Sequence, residues 1–270
     1  MHVATVLAFA LSLLVQVSYP LAVTLWYRRR TRASWQLFFY GALVFALFQL
    51  FSWLPLSVYL DMVVGEHLSS ETGAFLWLLG MALFTSLVEE GGRWWGYRYL
   101  FPRGGFRLNW RNGVMFGLGH ASTETMLFLA GLTFVSLLAY LALGRMDLDA
   151  FLRSTDPSTS RAFREAVREL LSTSWQQPLI VAWERVLALP HQIAWALLVM
   201  QSLVSGQRRW FIFAVLYHAS IAIIVPGMAR LLGFLPAEGV NALFGLASVG
   251  IILILRSTLL EAHWQGYRRA

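Results

Sequence analysis

The chain has 270 residues, of which 58% are hydrophobic and only 13% are charged. A soluble globular domain is about half apolar and about a quarter charged, whereas the mean hydropathy of this chain is +0.60. This composition excludes a soluble single domain, a disordered chain and a nucleic-acid-binding protein. The apolar runs extend for about 20 residues or more, which is the length of a membrane-spanning helix and not of a β-barrel strand. The sequence therefore predicts an all-α, polytopic membrane helix bundle.

The charged residues and the absence of cysteine limit the kinds of functional site that the chain can contain. The formal net charge is +7, and all 21 basic residues are arginine. In a membrane protein, arginines in short loops set topology. The chain contains no cysteine, so disulfides, thiolate nucleophiles and cysteine–zinc sites are excluded.

Seven apolar segments divide the chain into predicted spans, which we assign to a single transmembrane domain over residues 1–270. Several exceed the length that a bilayer requires, so we expect tilt or extension beyond the membrane. The predicted spans are Val3–Tyr27, Trp35–Leu60, Ala74–Leu100, Gly113–Leu143, Leu179–Gly206, Trp210–Leu232 and Val240–Leu260.

The arginines alternate between the two sides of this arrangement. Thirteen fall in connections or at span ends on one side and six on the other, and the remaining two, Arg93 and Arg185, lie within spans. Because arginine is enriched in cytoplasmic loops, the pattern predicts an N-terminus outside and a C-terminus inside. We expect a multi-pass protein of a bacterial or archaeal cytoplasmic (inner) membrane, in contact with the lipid bilayer.

The connection over residues 144–178 predicts an external amphipathic helix. Asp156 and Pro157 are typical of a helix start, as N-cap and first residue. Apolar residues then recur at helical spacing and charged ones lie opposite. Either an interfacial helix on the outer leaflet or a solvated surface helix without function explains this pattern.

Nine ionisable side chains fall inside predicted spans. An Asp, Lys or Arg at the bilayer centre costs about 2.5–3.5 kcal/mol on insertion scales, so such groups face one another or a water-filled cavity. We expect them to gather around a wet pocket near the inner leaflet. They are Glu89, Glu90, Arg93, His120, Glu124, Glu184, Arg185, His191 and His218.

The spacing and charge of these nine residues leave open how their net negative charge is accommodated inside the membrane. Glu89 and Arg93 are four residues apart and share a helix face, as do His120 and Glu124. Four carboxylates face two arginines, which leaves −2 with neutral histidines. Protonation of one or two carboxylates, charged histidines, or a divalent metal such as zinc would each resolve this excess. The first explanation suits a carboxyl group that exchanges its proton near neutral pH and, once ionised, can act as a general base. The candidate metal ligands are His120, His191 and His218, and Glu184 with Arg185 is read as a supporting pair that neutralises itself.

The motifs resemble a known superfamily of intramembrane proteases. Glu89-Glu90-Gly91-Gly92-Arg93 matches E-E-x-x-R, Phe116-Gly117-Leu118-Gly119-His120 matches F-x-x-x-H, and His218 lies in a later span. This pattern is similar to the CAAX prenyl protease and bacteriocin-processing (CPBP) glutamic proteases. With Glu124, Glu184-Arg185 and His191 it resembles the PrsW and YhfC relatives, YhfC more closely, over residues 80–225.

The resemblance implies roles for the matching residues. Glu89 would be the general base, with Glu90 as the second choice, and Arg93 would hold the carboxylate. His120 and His218 would assist water activation and charge stabilisation, with Glu124 and His191 completing the site. CAAX proteases carry Asn four residues after the last histidine, where this chain has Ala222, so the likeness does not extend to prenylated substrates. Some relatives are described as metalloproteases, which keeps zinc open.

These expectations predict an intramembrane endopeptidase that cleaves a membrane-anchored peptide or protein with glutamate-activated water in a cytoplasm-facing cavity. Two alternatives compete. Intramembrane acids and histidines also form the proton paths of coupled carriers, although we find no inverted repeat. The second alternative is a non-enzymatic scaffold, in which the polar cluster only stabilises the helix bundle.

Overall fold

The structure is a computed structural model that describes residues 2–68, 70–147, 150 and 157–260. Regular structure in this part of the chain is helical, without strands. Seven helices are long and apolar enough to cross a membrane, and with the shorter α5 they confirm the all-α polytopic membrane bundle. The helices are α1 (Val3–Thr31), α2 (Trp35–Val63), α3 (Glu71–Arg103), α4 (Trp110–Leu143), α5 (Pro157–Leu171), α6 (Gln176–Ser205), α7 (Arg208–Leu232) and α8 (Phe234–Leu260).

Side-chain caps extend two spans beyond their predicted starts. The side chain of Ser70 accepts a hydrogen bond from the backbone N–H of Gly73 at the start of α3. Asn109 does the same for Asn112 at the start of α4. Such caps satisfy backbone N–H groups that have no partner within the helix, so each helix begins three residues before the predicted span.

The predicted loop over residues 233–239 is wrong. Only Gly233 separates α7 from α8, with φ of +88°, a conformation that L side chains rarely adopt and glycine adopts freely. Helix α8 starts at Phe234, six residues before the predicted span. Pro236 lies in its first turn, where a proline costs no hydrogen bond.

Three of the long helices contain a π-helical stretch. These stretches cover Phe45–Trp53 in α2, Gly96–Leu100 in α3 and Glu124–Leu129 in α4. A π-turn adds a residue to the turn and shifts the helix face presented by the residues after it, and such turns are frequent at functional sites. The stretch in α4 begins at one of the predicted site residues, Glu124.

The chain forms two compact units. The smaller comprises Met1–Tyr19 and Thr125–Val186, and the larger comprises Pro20–Glu124 and Leu187–Ala270. In the smaller unit, Val167 of α5 is buried, so the apolar face of this helix packs against protein. The predicted helix over this segment exists; its place at the outer leaflet stays a prediction, and Asp156 lies outside the described residues.

The second half of α6 forms the centre of the larger unit. Residues 191–202 are all buried, as expected for a helix that is apolar on most of its surface. A Cβ on Gly117 of α4 would lie 3.0 Å from the Cα of Ile193 in α6. Small residues at such crossings let helix backbones approach closely in a membrane, and this brings the motif of α4 against α6.

Candidate active site

Helix α3 carries a buried ion cluster. Glu89, Glu90 and Arg93 are 4%, 0% and 0% exposed. The Nη1 of Arg93 donates to Oε1 of Glu90 at 2.5 Å, and its Nη2 donates to Oε1 of Glu89 at 2.6 Å. Spacings of three and four residues place these groups on one helix face. Buried charges persist only when they are paired and hydrogen-bonded, so one guanidinium holds both carboxylates in place.

Helix α4 brings His120 to the same carboxylates. Its Nε2 lies 3.0 Å from Oε1 of Glu89, and its ring meets the ring of Phe45 edge-on at 5.3 Å. The preceding Gly119 makes this approach feasible, because a Cβ there would collide with the backbone carbonyl of Phe38 in α2. Gly41 of α2 meets the backbone of α4 in the same way.

Helix α7 supplies the second histidine of the cluster. The Nδ1 of His218 lies 2.9 Å from Oε1 of Glu90, and its Nε2 lies 3.8 Å from Oε2 of Glu89. The two carboxylates of α3 therefore share three partners from α3, α4 and α7. The structure brings Glu89, Glu90, Arg93, His120 and His218 together, as the charge argument expects.

Helix α6 contributes two further residues that sequence reasoning missed. The side-chain oxygen of Gln192 accepts a hydrogen bond from Nη2 of Arg93, and its nitrogen donates to Oε2 of Glu124. The ring of Trp195 stacks on the ring of His218, with centroids 3.8 Å apart and planes 11° apart. Both side chains are neutral and follow His191 in an apolar run, so a search for charged residues passes over them. Their separation of three residues, which places them on one helix face, was the available signal.

Glu124 reaches the cluster through Gln192. It begins the π-helical stretch of α4 and is half-buried. Because Gln192 bonds to both Glu124 and Arg93, a neutral amide links the acid of α4 to the cation of α3. An amide suits this position because it offers an acceptor to the guanidinium and a donor to the carboxylate.

His191 lies in a polar group with α7 and α8. Its Nδ1 is 2.8 Å from Oγ of Ser248, and its Nε2 is 3.3 Å from Oδ1 of Asn241. The hydroxyl of Tyr217 lies 2.9 Å from the same Ser248 oxygen. The ring of His191 is also stacked near that of Trp195, with centroids 5.9 Å apart. This contact joins His191 to the face of α6 that meets His218.

Glu184 and Arg185 belong to the smaller unit. The Nη2 of Arg185 lies 3.8 Å from Oε2 of Glu184, and the side chains are 20% and 32% exposed. The two charges are therefore close enough to offset each other, although a partly exposed ion pair contributes little to stability.

The described side chains do not form a group that fits a metal ion. Among the residues that the structure describes, no three or more histidines or acids are arranged to hold one. His120 and His218 each meet a carboxylate, and His191 meets Ser248 and Asn241. The cation between Glu89 and Glu90 is the guanidinium of Arg93.

Apolar helices with a buried cluster of carboxylates, imidazoles and a guanidinium define a polytopic membrane protein with a charged cluster inside its spans. The chain belongs to the family described as YhfC intramembrane metalloprotease, whose model matches residues 11–244. This confirms the resemblance that the motifs indicated. The chain is therefore a multi-pass member of a family of intramembrane proteases. A metal is implied by that description, although the described residues do not form a group that fits one.

Comparison with curated proteins agrees with the family. The chain is 28% identical over 216 residues to the "Uncharacterized membrane protein YhfC" of Bacillus subtilis (strain 168). The matched region covers 79% of this chain and 81% of the relative. No solved structure matches.

Proposed function

We propose that this protein is an intramembrane endopeptidase in which Glu89 activates water to hydrolyse a peptide bond of a membrane-anchored peptide or protein. One observation carries the proposal. Oε1 of Glu89 is held by Arg93 and His120, while Oε2 lies 3.8 Å from Nε2 of His218. A carboxylate fixed by one oxygen presents the other to a water molecule in a defined orientation.

The hydrogen-bond inventory supports this assignment. A histidine nitrogen that meets an ionised carboxylate must carry a proton, because the carboxylate only accepts. Nε2 of His120 and Nδ1 of His218 are therefore the protonated nitrogens. In a neutral His218 the remaining Nε2 is an acceptor. A single water molecule can donate one hydrogen to this nitrogen and its other hydrogen to Oε2 of Glu89. A lone pair of the water oxygen is then free to attack the substrate.

Hydrolysis of the peptide bond then takes place in three steps. The water oxygen bonds to the carbonyl carbon of the substrate as Glu89 takes one water proton, and the carbonyl electrons move to the carbonyl oxygen. The electrons return as the carbon–nitrogen bond breaks. Glu89 gives its proton to the departing amine, which leaves a carboxylic acid and an amine. General base and acid steps of this kind contribute about 100- to 10,000-fold.

The other site residues support the carboxylate in this proposal. Arg93 fixes the position of Glu89, and Glu90 holds Arg93 and His218. Gln192 of α6 holds the guanidinium, and Glu124 of α4 holds Gln192. His191 supports the site through the ring of Trp195. The site faces the cytoplasm from an inner membrane, with the N-terminus outside, and the pair Glu184–Arg185 supports the bundle.

Replacing Glu89 by Gln tests the proposal. The amide keeps an acceptor for Arg93 but has no basic oxygen, so we expect hydrolysis to fall by at least about 100-fold with an unchanged unfolding midpoint. The assay uses a library of quenched-fluorescent single-span peptides in liposomes with the purified protein. Glu71→Gln at the exposed start of α3 is the control and retains activity. Full hydrolysis by Glu89→Gln would refute the proposal.

A further inference from the structure

Trp195 is a buried residue beside the ion cluster, and its hydrogen-bond donor has no partner in the part of the chain that the structure describes. The residue is 5% exposed, and its indole Nε1 is buried with no hydrogen-bond partner among the described residues. Leaving a buried donor unsatisfied costs about 1–3 kcal/mol. Trp53 and Trp110 instead donate at 2.7 Å and 2.9 Å to Oγ1 of Thr85 and the carbonyl of Ile252. An unsatisfied indole N–H at this place requires an explanation of its own.

The position of this indole relates it to the site. Its ring lies 3.8 Å from that of His218 and nearly parallel to it. The Cζ of Arg93 lies 5.7 Å from the centre of the same indole. The unpaired donor therefore belongs to a ring that packs against the imidazole and the guanidinium that meet the two carboxylates.

Most other donors of the site are already used. Nη1 and Nη2 of Arg93 donate to carboxylates, as do the histidines where their nitrogens meet Glu89 and Glu90. The Nε of Arg93 is buried without a partner, like the indole nitrogen. Two N–H groups, on side chains whose guanidinium carbon and indole centre are 5.7 Å apart, thus have no acceptor among the described residues. Peptide hydrolysis creates an acceptor, because negative charge develops on the carbonyl oxygen, and preorganised N–H groups stabilise it.

We propose that Trp195 is a catalytic residue whose indole N–H, with the Nε–H of Arg93, binds the carbonyl oxygen of the scissile peptide bond. This inference rests on the proposed hydrolysis. The indole donates to that oxygen as it becomes negative, and no proton leaves the ring. Stacking of Trp195 on His218 fixes the donor relative to the imidazole that orients the water. The carbonyl carbon then lies between the attacking water and the two donors.

An isosteric replacement separates the N–H from the ring. β-(3-Benzothienyl)alanine at position 195 keeps the stacked bicyclic ring and replaces N–H by sulfur. We expect kcat to fall by about 100- to 1,000-fold, as for loss of one oxyanion donor, with little change in KM. The same substitution at Trp53 or Trp110 is the matched control and should leave kcat within about threefold, because those donors have structural partners outside the site.

The assay uses the peptide library in liposomes and includes Glu89→Gln. If Glu89→Gln is inactive and the position-195 isostere turns over at the wild-type rate, the oxyanion role is refuted while the proposed function stands. If Glu89→Gln is fully active, the proposed function itself fails. A fall in kcat/KM caused only by KM would also refute the role.

A readout without turnover checks the same contact. In protein labelled with ¹⁵N-tryptophan, the indole N–H signal of Trp195 is the one missing from Trp195→Phe. A peptide aldehyde, whose hydrate resembles the tetrahedral intermediate, should shift this signal downfield. The indole signals of Trp53 and Trp110 should stay in place. An unshifted Trp195 signal at saturating aldehyde would overturn the proposal.

Discussion

The side chain of Gln192 bonds to Arg93, although the two residues are 99 positions apart in the chain. The same amide donates to Glu124. A residue without charge therefore joins the cation of α3 to the acid of α4 from the central helix α6. In the proposed mechanism this bond holds the guanidinium from α6, at the same Nη2 that donates to Glu89.

Replacing Gln192 by Leu tests this link. The change removes a hydrogen bond to a charged group on each side, and such bonds contribute about 1.5–3 kcal/mol. We expect kcat/KM to fall by about 10- to 100-fold and the unfolding midpoint to decrease. Both are measured in liposomes and by thermal unfolding in detergent.

Gln201→Leu is the matched control for that variant. Gln201 is also buried on α6, but its partner is Thr258, at 3.5 Å. A long bond between neutral groups contributes less than one to a guanidinium, and Thr258 takes no part in the proposed chemistry. Equal losses of activity in the two variants would contradict a role for Gln192 at the site.

Two histidines of the predicted site should differ in their effect on catalysis. His218→Gln retains a donor for Glu90 but loses the basic nitrogen beside Glu89. We therefore expect kcat to fall by about 100-fold or more. His191→Gln retains hydrogen bonds to Ser248 and Asn241, and we expect at most about a tenfold loss, because His191 acts through the ring of Trp195. A larger loss of kcat for His191→Gln than for His218→Gln would reverse this assignment.

Close helix packing makes Gly119 sensitive to substitution. A Cβ at this position meets the backbone of Phe38, which cannot move aside as a side chain can. Gly119→Ala should therefore separate α4 from α2, displace His120 from Glu89, and destabilise the protein by about 1–3 kcal/mol. Unfolding midpoints and hydrolysis rates measure both effects.

Gly91 provides the comparison for Gly119. It also lies in a motif of the site, yet a Cβ there would meet nothing within 4 Å. Gly91→Ala should fold and cleave like the unmodified protein. If both alanine variants behave alike, the close contact at Gly119 is not what positions His120.

The fold was predictable because its main signal is composition along the chain. Seven apolar runs predicted seven spans, and the described part of the chain has seven helices long and apolar enough to cross a membrane. The failure lay at Phe234, because the predicted spans left residues 233–239 as a loop, whereas the last helix begins at Phe234. Pro236 does not prevent this, since a proline in the first turn is compatible with a helix.

The site was predictable only where it is charged. Burial in a membrane requires charged groups to meet, which predicts the gathering of Glu89, Arg93 and His218 without knowledge of the fold. Gln192 and Trp195 carry no charge, so a search for charged groups inside the spans does not pick them out, although their buried polar atoms also favour partners. Their roles follow from packing angles and distances between helices, which the sequence does not contain.

The cation within the cluster leads to a prediction about metal. Arg93 lies within 2.6 Å of both carboxylates, and among the described residues no three histidines or acids are arranged to hold a metal ion. If Glu89 activates water as proposed, protein dialysed against a chelator should cleave the peptide library at the untreated rate, and elemental analysis should find less than one zinc per chain. Glu71→Gln, treated identically, controls for loss of protein during dialysis. Activity that disappears with a stoichiometric metal and returns on its addition would show that a metal, and not the carboxylate alone, activates the water. In that case Glu89, Glu90 and the histidines must rearrange around the ion, and Arg93 must release at least one carboxylate.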